Sequence, residues 1–237
     1  LHDLGNPFGW QPADGAPYWL IIGMSPAQGA ATGSLLGFGL NASSAAAFRN
    51  TEHMPTDKRL TIIFGSIAFV ASIIGAFVLP HIDTDSFKIV LAILTLAALP
   101  LLFIDRKWLK LHRHKQRWGI VIVAVPLIAA CIIPGSAFYI LVSIALSTVF
   151  TMTILQTMVL KRFIGIVQTS VLFILLAAQG FLLLGYGIAA LAGGTIGSYI
   201  GTKFAIKKGE RFAKYALAAV GFISAMAAKS AVKLSRA

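Results

Sequence analysis

The sequence predicts an all-α protein, a polytopic transmembrane bundle of about seven to eight spans, some of them short or broken, in two repeats of inverted topology. Apolar residues make up 57% of the 237 residues and charged residues only 12%, about half the charged fraction of a soluble domain. The charged residues lie between or at the ends of apolar runs, as in membrane proteins. Corresponding turns of the two halves also differ in the sign of their charge.

The excess of basic residues, a net charge of +12, is also typical of proteins that bind nucleic acid. Here the lysines and arginines flank apolar runs, which is where cytoplasmic loops of membrane proteins carry them. We therefore expect membrane lipids as partners and no nucleic acid. Cys131 is the single cysteine, which excludes an intrachain disulfide and a cysteine-based metal cluster. We expect neither a metal nor a cofactor.

The first half of the chain divides into an irregular segment, 1–17, rich in Gly and Pro, and a first transmembrane repeat, 18–104. Pro26 breaks the opening apolar run, and 27–48 then predicts a helix rich in Gly, Ala and Ser that packs against protein rather than lipid. Leu60–Leu79 is free of charge for twenty residues, enough to span the ~30 Å hydrocarbon core.

Residues 105–118 form a basic segment with six Lys or Arg, two His and one acid. We interpret it as a cytoplasmic linker between two halves. An amphipathic regulatory segment, or one that binds anionic lipid, is the alternative.

The second transmembrane repeat covers 119–237. Its first apolar stretch, 119–133, has only fifteen residues and barely spans a membrane, so a half-helix or a tilted short span is predicted before the break at Pro134-Gly135-Ser136. A helix over 137–160 follows. Lys161-Arg162 is interpreted as a cytoplasmic turn, and spans at 163–184, 186–202 and 215–228 complete the repeat.

Short matches relate the two halves. Gly65, Gly75 and Phe77 recur 122 residues later as Gly187, Gly197 and Tyr199. The turn at 80–86 is acidic, whereas the corresponding turn at 203–211 is basic, so the first should face outside and the second inside. Equivalent hairpins that point in opposite directions indicate an inverted repeat.

Gly193, Gly197 and Gly201 recur at every fourth position, which places them on one helix face and predicts close packing against a neighbouring helix. The basic sequence AIKKGERFAK follows this helix. The hairpin resembles the closing hairpin of the TauE/SafE family of sulfite exporters and related anion permeases. The segment GMSPAQGAAT at 23–32 also resembles that family, but no run of glycines precedes it, and Ser34 replaces a lysine common there.

Catalytic motifs are absent from the sequence. All eight acids and all five histidines lie outside the apolar runs, and no paired carboxylates, H-E-x-x-H, G-x-S-x-G or P-loop occurs. We therefore expect no enzyme, and no cation pump, which would bury a carboxylate. The polar groups within the apolar runs are therefore hydroxyls and amides, and some of the predicted helices are broken. Hydroxyls, amides and the N-termini of broken helices are suited to binding an anion.

The break at Pro134-Gly135-Ser136 is the predicted substrate site, because the next helix starts there with free N–H groups and the positive end of its dipole. Ser136 is a candidate ligand or N-cap. Polar residues within apolar helices are candidates for the opposite wall of the site: Gln156, Thr157 and Gln168.

The family resemblance implies a permease in a bacterial-type plasma membrane for sulfite, sulfonates or other small anions. It also implies that Thr32 and Gly33 belong to the first half of the site, and that Lys161 is the family's lysine of the second repeat. An interfacial lysine beside Arg162 is the other interpretation. A non-transporting membrane subunit of a larger complex is the alternative function, and a homo-oligomer or a membrane-protein partner is compatible with either.

Overall fold

The computed structural model describes residues 23–49, 51, 58–87, 116–132, 136–150 and 152–208. Its longer helices, in chain order, are α1 (Pro26–Phe48), α2 (Lys58–Val78), α3 (Gln116–Ile132), α4 (Ser136–Val149), α5 (Ile154–Ala178) and α6 (184–208). The described part of the chain contains no strand, so the predicted all-α class is confirmed. The predicted segment 1–17, most of the linker 105–118 and the predicted span 215–228 lie outside the described residues, and the division into domains stays a prediction.

α1 begins at a capping box. The Ser25 side chain accepts from the Gln28 amide N–H at 3.3 Å, and the Gln28 side chain accepts from the Ser25 N–H at 3.0 Å. Pro26 occupies the first turn, where its missing N–H removes no helical hydrogen bond. Small residues dominate α1 and most of them are buried, which confirms that this helix packs against protein.

α2 and α5 are each long and apolar enough to cross a membrane. The membrane-length segments are Lys58–His81, with 24 residues, and Gln156–Ala178, with 23. α2 buries one face in a cluster with α3, α4 and α5. Its opposite face exposes large apolar side chains, among them Ile62, Val70 and Phe77, as expected of a surface that lipid covers.

α3 and α4 are shorter and form an antiparallel hairpin. They have 17 and 14 residues, fewer than the ~20 that span a bilayer perpendicular to its plane. A Cβ added to Gly119, near the start of α3, would overlap Val149, the last residue of α4. Pro126 lies inside α3 without ending it. α4 starts within one residue of its predicted start, and Pro134 and Gly135 lie outside the described residues.

The prediction of one helix over 137–160, followed by a cytoplasmic turn at Lys161-Arg162, is wrong. α4 ends at Val149, and α5 begins at Ile154 after a second capping box, in which Gln156 N–H donates to Thr153 Oγ1 at 3.2 Å and Thr153 N–H donates to Gln156 Oε1 at 3.0 Å. Lys161 and Arg162 therefore lie inside a continuous helix, where both side chains are buried.

Contacts between α1 and α5 show that they are antiparallel. Ala31, near the start of α1, packs in one cluster with Leu172 and Leu176, near the end of α5. Asn41, farther along α1, accepts a hydrogen bond from Arg162, near the start of α5. The two capping boxes are 128 residues apart in sequence, and their N-cap residues have the same φ of −67°. α1 and α5 thus begin with the same kind of cap at opposite ends of the bundle.

α2 and α6 also run in opposite directions. Leu79, directly after α2, joins the cluster of Ala31 at the start of α1. Near the end of α6, the hydroxyl of Thr202 lies 2.8 Å from that of Ser44, near the end of α1. The turn after α2 and the end of α6 therefore lie at opposite ends of the bundle, as an inverted repeat requires.

The two ends of the bundle differ in charge. The turn after α2 carries Asp83 and Asp85, and we call this the acidic end. The Ser86 amide N–H donates to the Asp83 carboxylate at 2.9 Å, and this bond lowers the pKa of Asp83. The other end, called the basic end, carries exposed lysines and arginines of α1, α2 and α6. They are Arg49, Lys58, Arg59, Lys203, Lys207 and Lys208.

Cysteine labelling tests this orientation. In a Cys131→Ser background, Asp85→Cys and Lys207→Cys should react with an impermeant thiol reagent from opposite sides of the membrane, because they lie at opposite ends of the bundle. Lys58→Cys is the control and should label from the same side as Lys207→Cys. Labelling of Asp85→Cys and Lys207→Cys from one side would contradict the inverted arrangement.

α6 packs on α1 through Gly194, Ser198 and Thr202. A Cβ added to Gly194 would overlap the side chain of Leu36. The Ser198 hydroxyl donates to the Leu40 carbonyl at 3.0 Å. Small residues therefore do bring α6 close to a neighbouring helix, as glycine-rich membrane helices do.

The face of α6 that contacts α1 is shifted by one residue from the predicted glycine face. Gly193 is exposed, and a Cβ added there would meet no described atom within 4 Å beyond its chain neighbours and the adjacent backbone of its own helix. Gly197 and Gly201 are half-buried. Gly193 has no packing role against the described helices, and the role of Gly197 and Gly201 stays a prediction.

Candidate functional site

Lys161 places a positive charge inside the bundle. Its side chain is only 6% exposed, and its Nζ donates to the Ser143 hydroxyl of α4 at 2.8 Å. Lys161 lies five residues, about 8 Å, inside the membrane-length segment that begins at Gln156. A lysine at such depth is costly unless polar groups surround it, so Lys161 is a candidate functional residue.

Thr157 lies one turn before Lys161 on the same face of α5. Its side chain is 2% exposed, and its Oγ1 has no hydrogen-bond partner among the described residues. A buried hydroxyl without a partner is unfavourable by about 1–3 kcal/mol. A bound ligand with acceptor oxygens would relieve this cost.

Gln168 continues this face seven residues, two turns, after Lys161. It is buried, and its Nε2 donates to the Ala130 carbonyl of α3 at 3.4 Å. Thr157, Lys161 and Gln168 thus form a polar face of α5 directed at the α3–α4 hairpin. The sequence predicted all three as site residues, but the partner Ser143 was missed, because a single serine in an apolar helix carries no signal.

Arg162 points to the other side of α5, towards α1. Its side chain is 1% exposed, and Nη1 donates to Asn41 Oδ1 at 3.3 Å. The two adjacent cations therefore serve different interfaces. Lys161 lies between α5 and α4, whereas Arg162 joins α5 to α1.

The other predicted site residues lie elsewhere. Gln156 uses its side chain in the capping box of α5. Thr32 is fully buried and accepts from the Leu183 amide N–H at 3.4 Å, near the acidic end, and Gly33 beside it is buried as well. Of the predicted break, Ser136 is the first residue of α4. The structure therefore brings Thr157, Lys161 and Gln168 onto one face of α5 and leaves Gln156, Thr32 and Gly33 apart from them.

The fold is that of a helical membrane protein, and cationic and hydroxyl groups are buried between its described helices. A family model described as "Sulfite exporter TauE/SafE" matches residues 16–228, so the chain belongs to the TauE/SafE family of membrane transporters. No curated protein and no solved structure matches the chain.

Proposed function

We propose that the protein is a multi-pass permease of the plasma membrane, not an enzyme, and that it carries small anions such as sulfite or organic sulfonates. Membership of the TauE/SafE family supports transport. The observation that favours an anion as the substrate is the buried ammonium group of Lys161 on the polar face of α5. A cation with neighbouring hydroxyl donors is the environment that an oxyanion needs in place of water.

In this proposal the anion is bound between α5 and the α3–α4 hairpin. The ammonium group of Lys161 supplies charge, and the hydroxyls of Ser143 and Thr157 supply directed hydrogen bonds. Ser143 lies seven residues, about 10 Å along the helix, after the N-terminus of α4. The N–H groups of the first turn of α4 have no partner within the helix and provide a second place for the anion on the same path.

Flux of sulfite and of a sulfonate into proteoliposomes tests the proposal. Lys161→Gln removes the charge and should reduce uptake at least about tenfold, the loss that corresponds to 1.4 kcal/mol in the barrier. Lys58→Gln, which removes an exposed lysine at the basic end, should leave uptake unchanged. Wild-type protein that moves neither anion would contradict the permease and favour a non-transporting subunit, an alternative that Ser34, in place of the family's lysine, also favours.

The variant Thr157→Val tests whether Thr157 contributes to anion binding without lowering the stability of the fold. The change removes a hydroxyl that lacks a partner in the described structure and keeps the branched shape, so the melting temperature should stay the same or rise. The KM for the anion should nevertheless increase several-fold, because one donor is lost. An unchanged KM in Thr157→Val would remove Thr157 from the site.

A further inference from the structure

Two glutamines, Gln168 in α5 and Gln179 directly after it, reach backbone carbonyls on neighbouring helices. Gln168 Nε2 donates to the Ala130 carbonyl of α3 at 3.4 Å, and Gln179 Nε2, directly after α5, donates to the Ala76 carbonyl of α2 at 3.3 Å. The two glutamines are eleven residues apart. Because eleven residues complete three helical turns, both lie on the same face.

Each of these carbonyls is four residues before a proline. In an α-helix the carbonyl of residue i accepts from the N–H of residue i+4. For Ala130 that residue is Pro134, and for Ala76 it is Pro80. Proline has no N–H, so neither carbonyl can obtain its usual helical donor. Inside a membrane, water is scarce and an unpaired carbonyl is costly.

We infer that Gln168 and Gln179 are positioning residues, each of which caps the carbonyl that a proline leaves without a helical donor. Gln168 holds the end of α3 against the polar face of α5. Gln179 holds the end of α2 against the end of α5 in the same way. α5 thus fixes the places where two of its neighbouring helices stop.

A double-mutant cycle tests the inference by melting temperature in detergent. Gln168→Met keeps the size of the side chain but loses the donor, and should lower the melting temperature by about 2–4 °C. Pro134→Ala supplies an N–H four residues after Ala130, the position of the usual helical donor to its carbonyl. In the Pro134→Ala background, Gln168→Met should lower the melting temperature by less than half as much. Packing alone would give equal losses in both backgrounds, and equal losses would overturn the inference.

Two further comparisons keep the test decisive. Gln156→Met removes a capping-box side chain that does not contact Ala130, so its loss should be the same with and without Pro134→Ala. Gln179→Met with Pro80→Ala forms an independent cycle at the acidic end and should show the same rescue. If Pro134→Ala does not fold, the cycle of Gln179→Met with Pro80→Ala tests the inference alone. Equal losses of melting temperature for Gln179→Met with and without Pro80→Ala would contradict it. Because the measurement is stability, its outcome does not depend on anion transport.

Discussion

Replacing Asn41 with leucine is expected to destabilise the protein by about 1.5–3 kcal/mol, the usual contribution of a hydrogen bond to a charged group. Arg162 is 1% exposed, and its guanidinium donates to Asn41 Oδ1. Leucine has a similar volume but leaves the buried cation with one acceptor fewer. The melting temperature in detergent should fall by about 2–4 °C for each kcal/mol.

Asn41→Asp is the matched control. It keeps the shape of the side chain and offers Arg162 a charged acceptor, which makes a stronger bond than the amide. The melting temperature of Asn41→Asp should therefore exceed that of Asn41→Leu and equal or exceed that of wild type. A lower value for aspartate than for leucine would show that Asn41 does not act as the acceptor for Arg162.

Hydropathy was sufficient to predict the two long helices that the structure describes in the first half. α1 and the membrane-length segment of α2 begin and end within two residues of their predicted bounds, because each apolar run there ends in a proline or a charge. The opposite directions of α2 and α6 follow the charges of their turns, which the positive-inside rule anticipates.

The same reasoning failed at Lys161 and Arg162, where charges were interpreted as a loop. A buried cation and a loop cation look alike in a sequence, and their partners Ser143 and Asn41 lie 18 and 121 residues away. One local signal was available. Thr153 and Gln156 have the spacing of a capping box, which marks a helix start and carries the helix through both cations.

The spacing of the glycines predicted the packing of α6 only in part. It predicted that α6 packs closely, but the residues in contact with α1 include Ser198 and Thr202, so the buried face is set by small residues of several types. Which small residues face a neighbour depends on the rotation of the helix, and a repeat of four residues fixes that only to within one position.

Gly75→Leu is expected to be among the most damaging single changes in α2. A Cβ at Gly75 would overlap the backbone carbonyl oxygen of Cys131 and lie 3.1 Å from its carbonyl carbon and 3.2 Å from Cα of Ile132. Backbone at the end of α3 cannot move as a flexible side chain can. We expect a loss of about 3 kcal/mol or more, at the upper end for an overpacked site.

Gly65 provides the control within the same helix. A Cβ added there would meet no described atom within 4 Å beyond its chain neighbours and the adjacent backbone of α2. Gly65→Ala should raise stability by up to about 1 kcal/mol through helix propensity, whereas Gly75→Ala should lower it. Melting temperatures of the two alanine variants on either side of wild type are the expected result. If both variants are stabilised, α2 and α3 are farther apart at Gly75 than the structure places them, and the end of α3 is not fixed by this contact.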